Sequence, residues 1–274
     1  MEAATLARIE ALALAASGHR VAGTHIPVAL VPQGVGMHSL EPFMENRLRF
    51  RGTLDTTSLK DFAAHVIARN ATGASGFVSA DDTQSLGCTV IFNIGNATIP
   101  GHCDDIAKLA LKPTAAFEAV HGITNKKPDQ KDLAEWMEDW STNLHAKDAD
   151  GGDISLSRAV AAIRKVTIET LNKAEHQVGD MAASRSAMDS IAATSTEVLP
   201  ATLEFTATPF EGLQARTMVL RVGVLTGSAK PVFSLRWVQK NAQLEEIASE
   251  FKDILKAEIG GMATLIMGSF SAGK

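Results

Sequence analysis

A chain of 274 residues with 45% hydrophobic and 21% charged residues has ordinary globular proportions, and it is long enough to bury a sizeable core. A net charge of -5 and a pI of about 5.9 exclude a broadly cationic surface of the kind that coats nucleic acid. Two cysteines, Cys88 and Cys103, cannot build a disulfide framework, and no apolar run approaches the ~20 residues of a membrane helix, so a soluble protein of a reducing cytoplasm is expected.

Leu6, Ile9, Leu12, Ala13 and Ala16 recur at helical spacing and Gly18 follows as a stop, while Glu2, Arg8 and Glu10 break any resemblance to a signal peptide. "HIPVALVP" reads as a short strand between prolines. "NRLRFRGTL" alternates, which predicts a strand with Arg47, Arg49 and Arg51 on one face and Leu48 and Phe50 on the other. Ser58 with Asp61 starts a capped helix through "LKDFAAHVIARN". "SGFVSADDTQSLGCTVIFNIG" gives two strands around an acidic turn at Asp81 and Asp82, with Cys88 as a buried hydrophobe, and "AKLALKP" gives another strand.

"PDQKDLAEWMEDWSTNLH" predicts a helix whose apolar stripe is Leu133, Met137, Trp140 and Leu144. "AKDADGGD" breaks the pattern and offers a boundary between two lobes, about 1–147 and 154–274, as the alternative to one unit. A helix over "LSRAVAAIRK" and a strand at "VTIET" follow. "TLEFTAT", "RTMVLRVGV" and "PVFSLRWV" alternate between the turns "PFEGL" and "GSAKP", which predicts a three-stranded antiparallel meander. Asn241 is placed to cap a helix with Leu244, Ile247, Phe251, Ile254 and Leu255 inward, Gly260 and Gly261 end it, and "MATLIM" is a last strand. The predicted class is α+β with mainly antiparallel sheet and flanking helices.

Few residues announce chemistry. "GSFSAGK", Gly268 to Lys274, fits G-x-x-x-x-G-K, but neither the Ser or Thr after the lysine nor the following helix is present, so it reads as a tail. "PGHCDD" brings together His102, Asp104 and Asp105 as weak metal candidates beside Cys103, with His38, His65, His121 and His145 scattered elsewhere; the alternative is a polar turn. Glu135, Glu138 and Asp139 of "EWMEDW" suit either a magnesium site or the solvated face of a helix. No G-x-S-x-G elbow presents a nucleophile. Arg47, Arg49 and Arg51, about 7 Å apart along a strand, suit a phosphate, a carboxylate or an acidic subunit surface; the alternative is a solvated strand face.

"RFRGTLDTTSLKDFAAHV", "PGHCDD", "LAEWMEDW", "EVLPATLEFTATPFEGL" and "KPVFSLRWV" resemble, in this order, phrases of the YfdQ-like family of bacteriophage and prophage proteins, from about Ile26 to Phe270. The resemblance implies a phage or prophage origin, a cytoplasmic accessory role in the bacterial host and one continuous unit over 1–274. It carries no catalytic residues and no cofactor. Three functional readings follow. The first is a non-enzymatic homo-oligomer that binds a partner or a small anionic ligand, without membrane contact. The second is a nucleic-acid-binding accessory of phage recombination or replication. The third is a metal-dependent nuclease or hydrolase.

Overall fold

The computed structural model describes residues 3–16, 19–20, 28–30, 38–80, 85–166, 198–225 and 231–272. They fall into two compact units, Met1–Gly52 and Thr53–Lys274. The first holds helix α1 (Ala3–Ala16), then strands β1 (His19–Arg20), β2 (Val28–Leu30) and β3 (His38–Ser39), paired antiparallel in that order, and a 3-10 turn over Glu41–Phe43. The helix expected at the N-terminus and the strand expected in "HIPVALVP" are both present. The expected strand over "NRLRFRGTL" is not, except at its end: β4 is Gly52–Thr56.

The second unit is built on two five-stranded sheets. One contains β5 (Ser75–Ala80), β6 (Leu86–Ile91) and β7 (Asp105–Leu111) as an antiparallel meander, with β4 beyond β7. Strand β13 (Thr264–Met267) lies beyond β5 and is parallel to it. Alternation sends Val78, Cys88, Val90, Ala107 and Leu109 to one face, where all are buried. Helix α2 (Leu59–Arg69) covers this face with Leu59, Phe62, Ala63 and Val66. Its start is fixed as the sequence predicts: the Ser58 hydroxyl accepts a hydrogen bond from the Asp61 amide at 3.3 Å.

The other sheet has the order β12-β11-β10-β8-β9 and is antiparallel throughout. Strands β10 (Thr202–Ala207), β11 (Arg216–Leu225) and β12 (Val232–Trp237) are the predicted meander. Leu203, Phe205, Met218, Leu220, Phe233 and Leu235 are buried on its inner face. Outside, Lys147 donates to Glu204 at 2.8 Å, and this carboxylate holds the lysine pKa above its ordinary value. Helices α3 (Ala115–Thr124), α4 (Gln130–Asp139) and α5 (Leu156–Lys165) pack around this sheet, and α6 (Lys240–Glu258) packs beside α2. One hydrophobic cluster joins α2, both sheets and α3 to α6, so Thr53–Lys274 is a single folded body of α+β class with mainly antiparallel sheet.

Four expectations change. "AKDADGGD" is not a boundary: β8 (Leu144–Lys147) and β9 (Asp153–Ile154) are the two arms of a hairpin, and Asp148 closes its turn by accepting from the amides of Asp150 and Gly152. Leu144 leaves the α4 stripe because Asn143 exchanges bonds with Thr206 at 2.8 and 2.9 Å, which draws the chain into the sheet. Asn241 is not a cap: α6 begins at Lys240 behind Gln239 in a left-handed conformation (φ 55°), and Gln243 takes a bond from the Trp237 indole instead. Finally, α3 stands in a segment where the sequence pattern predicts no element. The expected end of α6 at Gly260 and Gly261 is present, both at positive φ. The acidic turn at Asp81 and Asp82, all of "VTIET" after Val166, most of the turn "GSAKP" and Lys274 lie outside the described residues.

Candidate functional site

The arginine triplet sits in a loop, not a strand. Pro42 favours the tight turn that follows Leu40, and the amides of Phe43 and Met44 bond back to the carbonyls of Leu40 and Glu41. Glu41 is 6% exposed, and its carboxylate receives the Arg51 guanidinium in an ion pair. That pair joins residues ten apart and closes Glu41–Arg51 into a loop. A buried carboxylate without a cation is strongly disfavoured, so Arg51 has a structural task. Part of the anionic partner sought for the triplet is therefore Glu41 of the same loop.

The large apolar side chains between the two ends of this loop are exposed. Phe43 is 87% exposed, Leu48 53% and Phe50 57%, which corrects the expectation that Leu48 and Phe50 face a core. Strand pairing starts only at Gly52, and before it no sheet imposes the two-residue alternation. Arg47 is exposed and Arg49 half-buried. Among the triplet, then, Arg47 is the most exposed, and it stands in a loop that also carries exposed aliphatic and aromatic side chains. The sequence signal missed was "EPF", whose proline and short turn mark the loop entrance.

The "PGHCDD" residues do not converge on an ion. Asp105 is buried at the start of β7 and pairs with Arg69 from the end of α2, while Arg69 also lies over the Phe92 ring at 5.6 Å. Asp104 accepts from the Asn93 side chain at 2.8 Å, and the Asn93 oxygen accepts from the amides of Asp104 and Asp105. Cys103 has φ of 53°, and Gly101 is needed because a Cβ there would meet the Asn93 carbonyl at 1.8 Å. His102 is exposed. Among the described residues no three His, Cys, Asp or Glu side chains are placed to hold a metal. Dialysis against a chelator is expected to leave the melting temperature unchanged, as read by circular dichroism; a drop with loss of stoichiometric zinc or manganese would restore the metal reading.

The remaining chemical candidates are also engaged. Glu138 receives Arg164 through both oxygens at 2.9 Å, and Glu135 lies 3.7 Å from Lys131, so the "EWMEDW" acids form a solvated helix face. Arg216 is clamped between Glu246 and Glu250, each at 2.7 Å. Cys88 is buried as expected, and burial pushes its thiol pKa up to about 12. At the tail, Phe270 stacks on Phe77 with centroids 5.1 Å apart.

The model of an uncharacterized conserved protein family, DUF2303, matches residues 2–270. The chain belongs to the DUF2303 family. The match spans both compact units, so this DUF2303 chain carries the loop and the body as parts of one family pattern. No curated protein and no solved structure matches it. No helix among the described residues is long and apolar enough to cross a membrane.

Proposed function

We propose that the protein is a non-enzymatic, phage- or prophage-encoded accessory protein of the bacterial cytoplasm that works as a homo-oligomer and presents its first unit as a binding surface. One observation carries the assembly reading. Every α1 residue from Ala3 to Ala13 is exposed, including Leu6 at 56%, Ile9 at 53% and Leu12 at 63%. A lone helix of 14 residues is marginal in water and draws its stability from packing an apolar face. Its apolar stripe carries no charge, so a second copy can approach without like-charge repulsion. Among the described residues, seven of the thirteen exposed large apolar side chains lie in the first 52 positions. The resemblance to the YfdQ-like family supports the phage setting, and the engaged state of the candidate catalytic groups supports a binding role.

Ile9→Glu places a charge in the middle of the stripe and leaves the second unit untouched. Light scattering is expected to show an assembly for the native sequence and a smaller mass for the variant, with the same far-ultraviolet dichroism from the body. A native chain that runs as a monomer, or a variant that assembles as the native chain does, overturns the reading.

A further inference from the structure

We propose that the solvent face of the second sheet binds a compact phosphate group, as in a phosphomonoester or a diphosphate, between Arg221 of β11 and Arg236 of β12. The site lies wholly within the Thr53–Lys274 body and does not depend on the assembly of the first unit.

The strand register sets the two arginines directly opposite each other on neighbouring antiparallel strands. Both are exposed, because the alternation that buries Leu220, Val222, Leu235 and Trp237 sends them to the other face. Opposed side chains in such a pair have Cβ atoms about 5 Å apart, and like charges there destabilise the sheet. The acid diagonal to Arg221, Glu204 on β10, is already held by Lys147 at 2.8 Å. Among the described residues neither arginine side chain has a partner. Two neighbouring cations without an internal counter-charge call for an external one.

The surroundings select the kind of anion. Thr202 stands opposite Arg221 on its other side, and Ser234 lies two residues before Arg236 on the same face. Gly223 is opposite Ser234, and a Cβ there would come within 2.8 Å of the serine hydroxyl. The glycine thus leaves a notch beside the arginine pair, with a hydroxyl at its rim. Two guanidinium forks and two hydroxyls match the oxygens and the double charge of a phosphate, whereas a single carboxylate leaves one arginine unmatched. Residues 1–52 hold five Lys and Arg and four Asp and Glu of the chain's 26 and 31, so the body holds 21 against 27. A body that is net negative by six repels a long polyanion but admits a small one at a local cationic spot.

The test is isothermal titration calorimetry of the whole chain with inorganic pyrophosphate at low ionic strength. One pyrophosphate is expected to bind per chain with a Kd of about 1 mM or tighter and to raise the melting temperature, while acetate at matched ionic strength does neither. Arg221→Thr and Arg236→Thr are each expected to weaken binding about tenfold or more, and Arg221→Lys, which keeps the charge but not the fork, about threefold. Threonine suits an exposed strand, and losing one of two opposed like charges relieves repulsion. The melting temperature of either threonine variant without ligand is therefore expected not to fall, whereas a structural role for the arginines would lower it. Lys108→Thr removes an exposed charge from the other sheet and is expected to leave binding unchanged. The Ile9→Glu chain is expected to bind pyrophosphate as the native chain does, so failure of the assembly leaves this site standing. No heat and no thermal shift at about 10 mM pyrophosphate, or equal weakening by Lys108→Thr, overturns the proposal. So does binding of an oligothymidylate through the two arginines without binding of pyrophosphate, which makes the face a nucleic-acid contact. Loss of mass by light scattering in the arginine variants, with no pyrophosphate bound by the native chain, makes it a subunit contact instead.

Discussion

Phe251→Ala is expected to cost about 3–5 kcal/mol of unfolding free energy, the range for deleting a fully enclosed phenyl ring. Phe251 is 0% exposed in the middle of α6, between the buried Ile247 and Leu255, and belongs to the cluster that joins both sheets. The helix can stay in place because its two ends are fixed elsewhere: Trp237 bonds Gln243 at one, and Gly260 and Gly261 break the helix at the other. The ring's volume is therefore left as a cavity that neighbouring side chains fill only in part. Urea denaturation of the whole chain reads the loss, and a value under about 1 kcal/mol would mean that α6 does not carry the core.

Acid is expected to destabilise the body through His121. Its ring is 3% exposed, stands edge-on to Phe117 at 4.8 Å and to Trp237 at 5.1 Å, and has no hydrogen-bond partner at either nitrogen. Burial, helped by the nearby Lys240 charge, lowers its pKa from 6.5 to about 4. The folded state thus prefers the neutral ring, while the unfolded chain takes up a proton as pH falls through 6.5. Stability from this group is complete above that pH and is lost progressively down to about 4. Between about pH 7 and pH 4.5 the loss is on the order of 2 kcal/mol. His121→Leu keeps a similar volume without the titration, so its stability is expected to change less over this interval than that of the native chain. Parallel pH profiles for the two proteins would show that His121 is not the group responsible.

The meander was legible because β10, β11 and β12 each alternate for six residues or more with one face buried, so period and burial agree. Helix α2 was legible from Ser58 and its apolar spacing. Alternation misled at Arg47 to Arg51, because a two-residue period in side-chain type means a strand only where a sheet edge receives it, and pairing begins at Gly52. Helix α3 was hidden by its short length, an internal Gly122 and β-branched Val120 and Ile123, all weak formers that the core around Phe117 overrides. The hairpin turn at Asp148 looked like a linker because glycines and acids serve both purposes, and only the partner strand β10 distinguishes them. At the candidate site the arginines were visible from composition. The Glu41 partner was not, since an ion pair between residues ten apart leaves no periodic trace.

We propose above that the first unit joins copies of this chain. Native mass spectrometry of the protein purified from cells tests it most directly, because stoichiometry and retained ligands are read from one spectrum. Masses at whole-number multiples of the 29.0 kDa chain are expected, with Ile9→Glu collapsing them to the single chain. A spectrum holding only the 29.0 kDa species at micromolar concentration would contradict it.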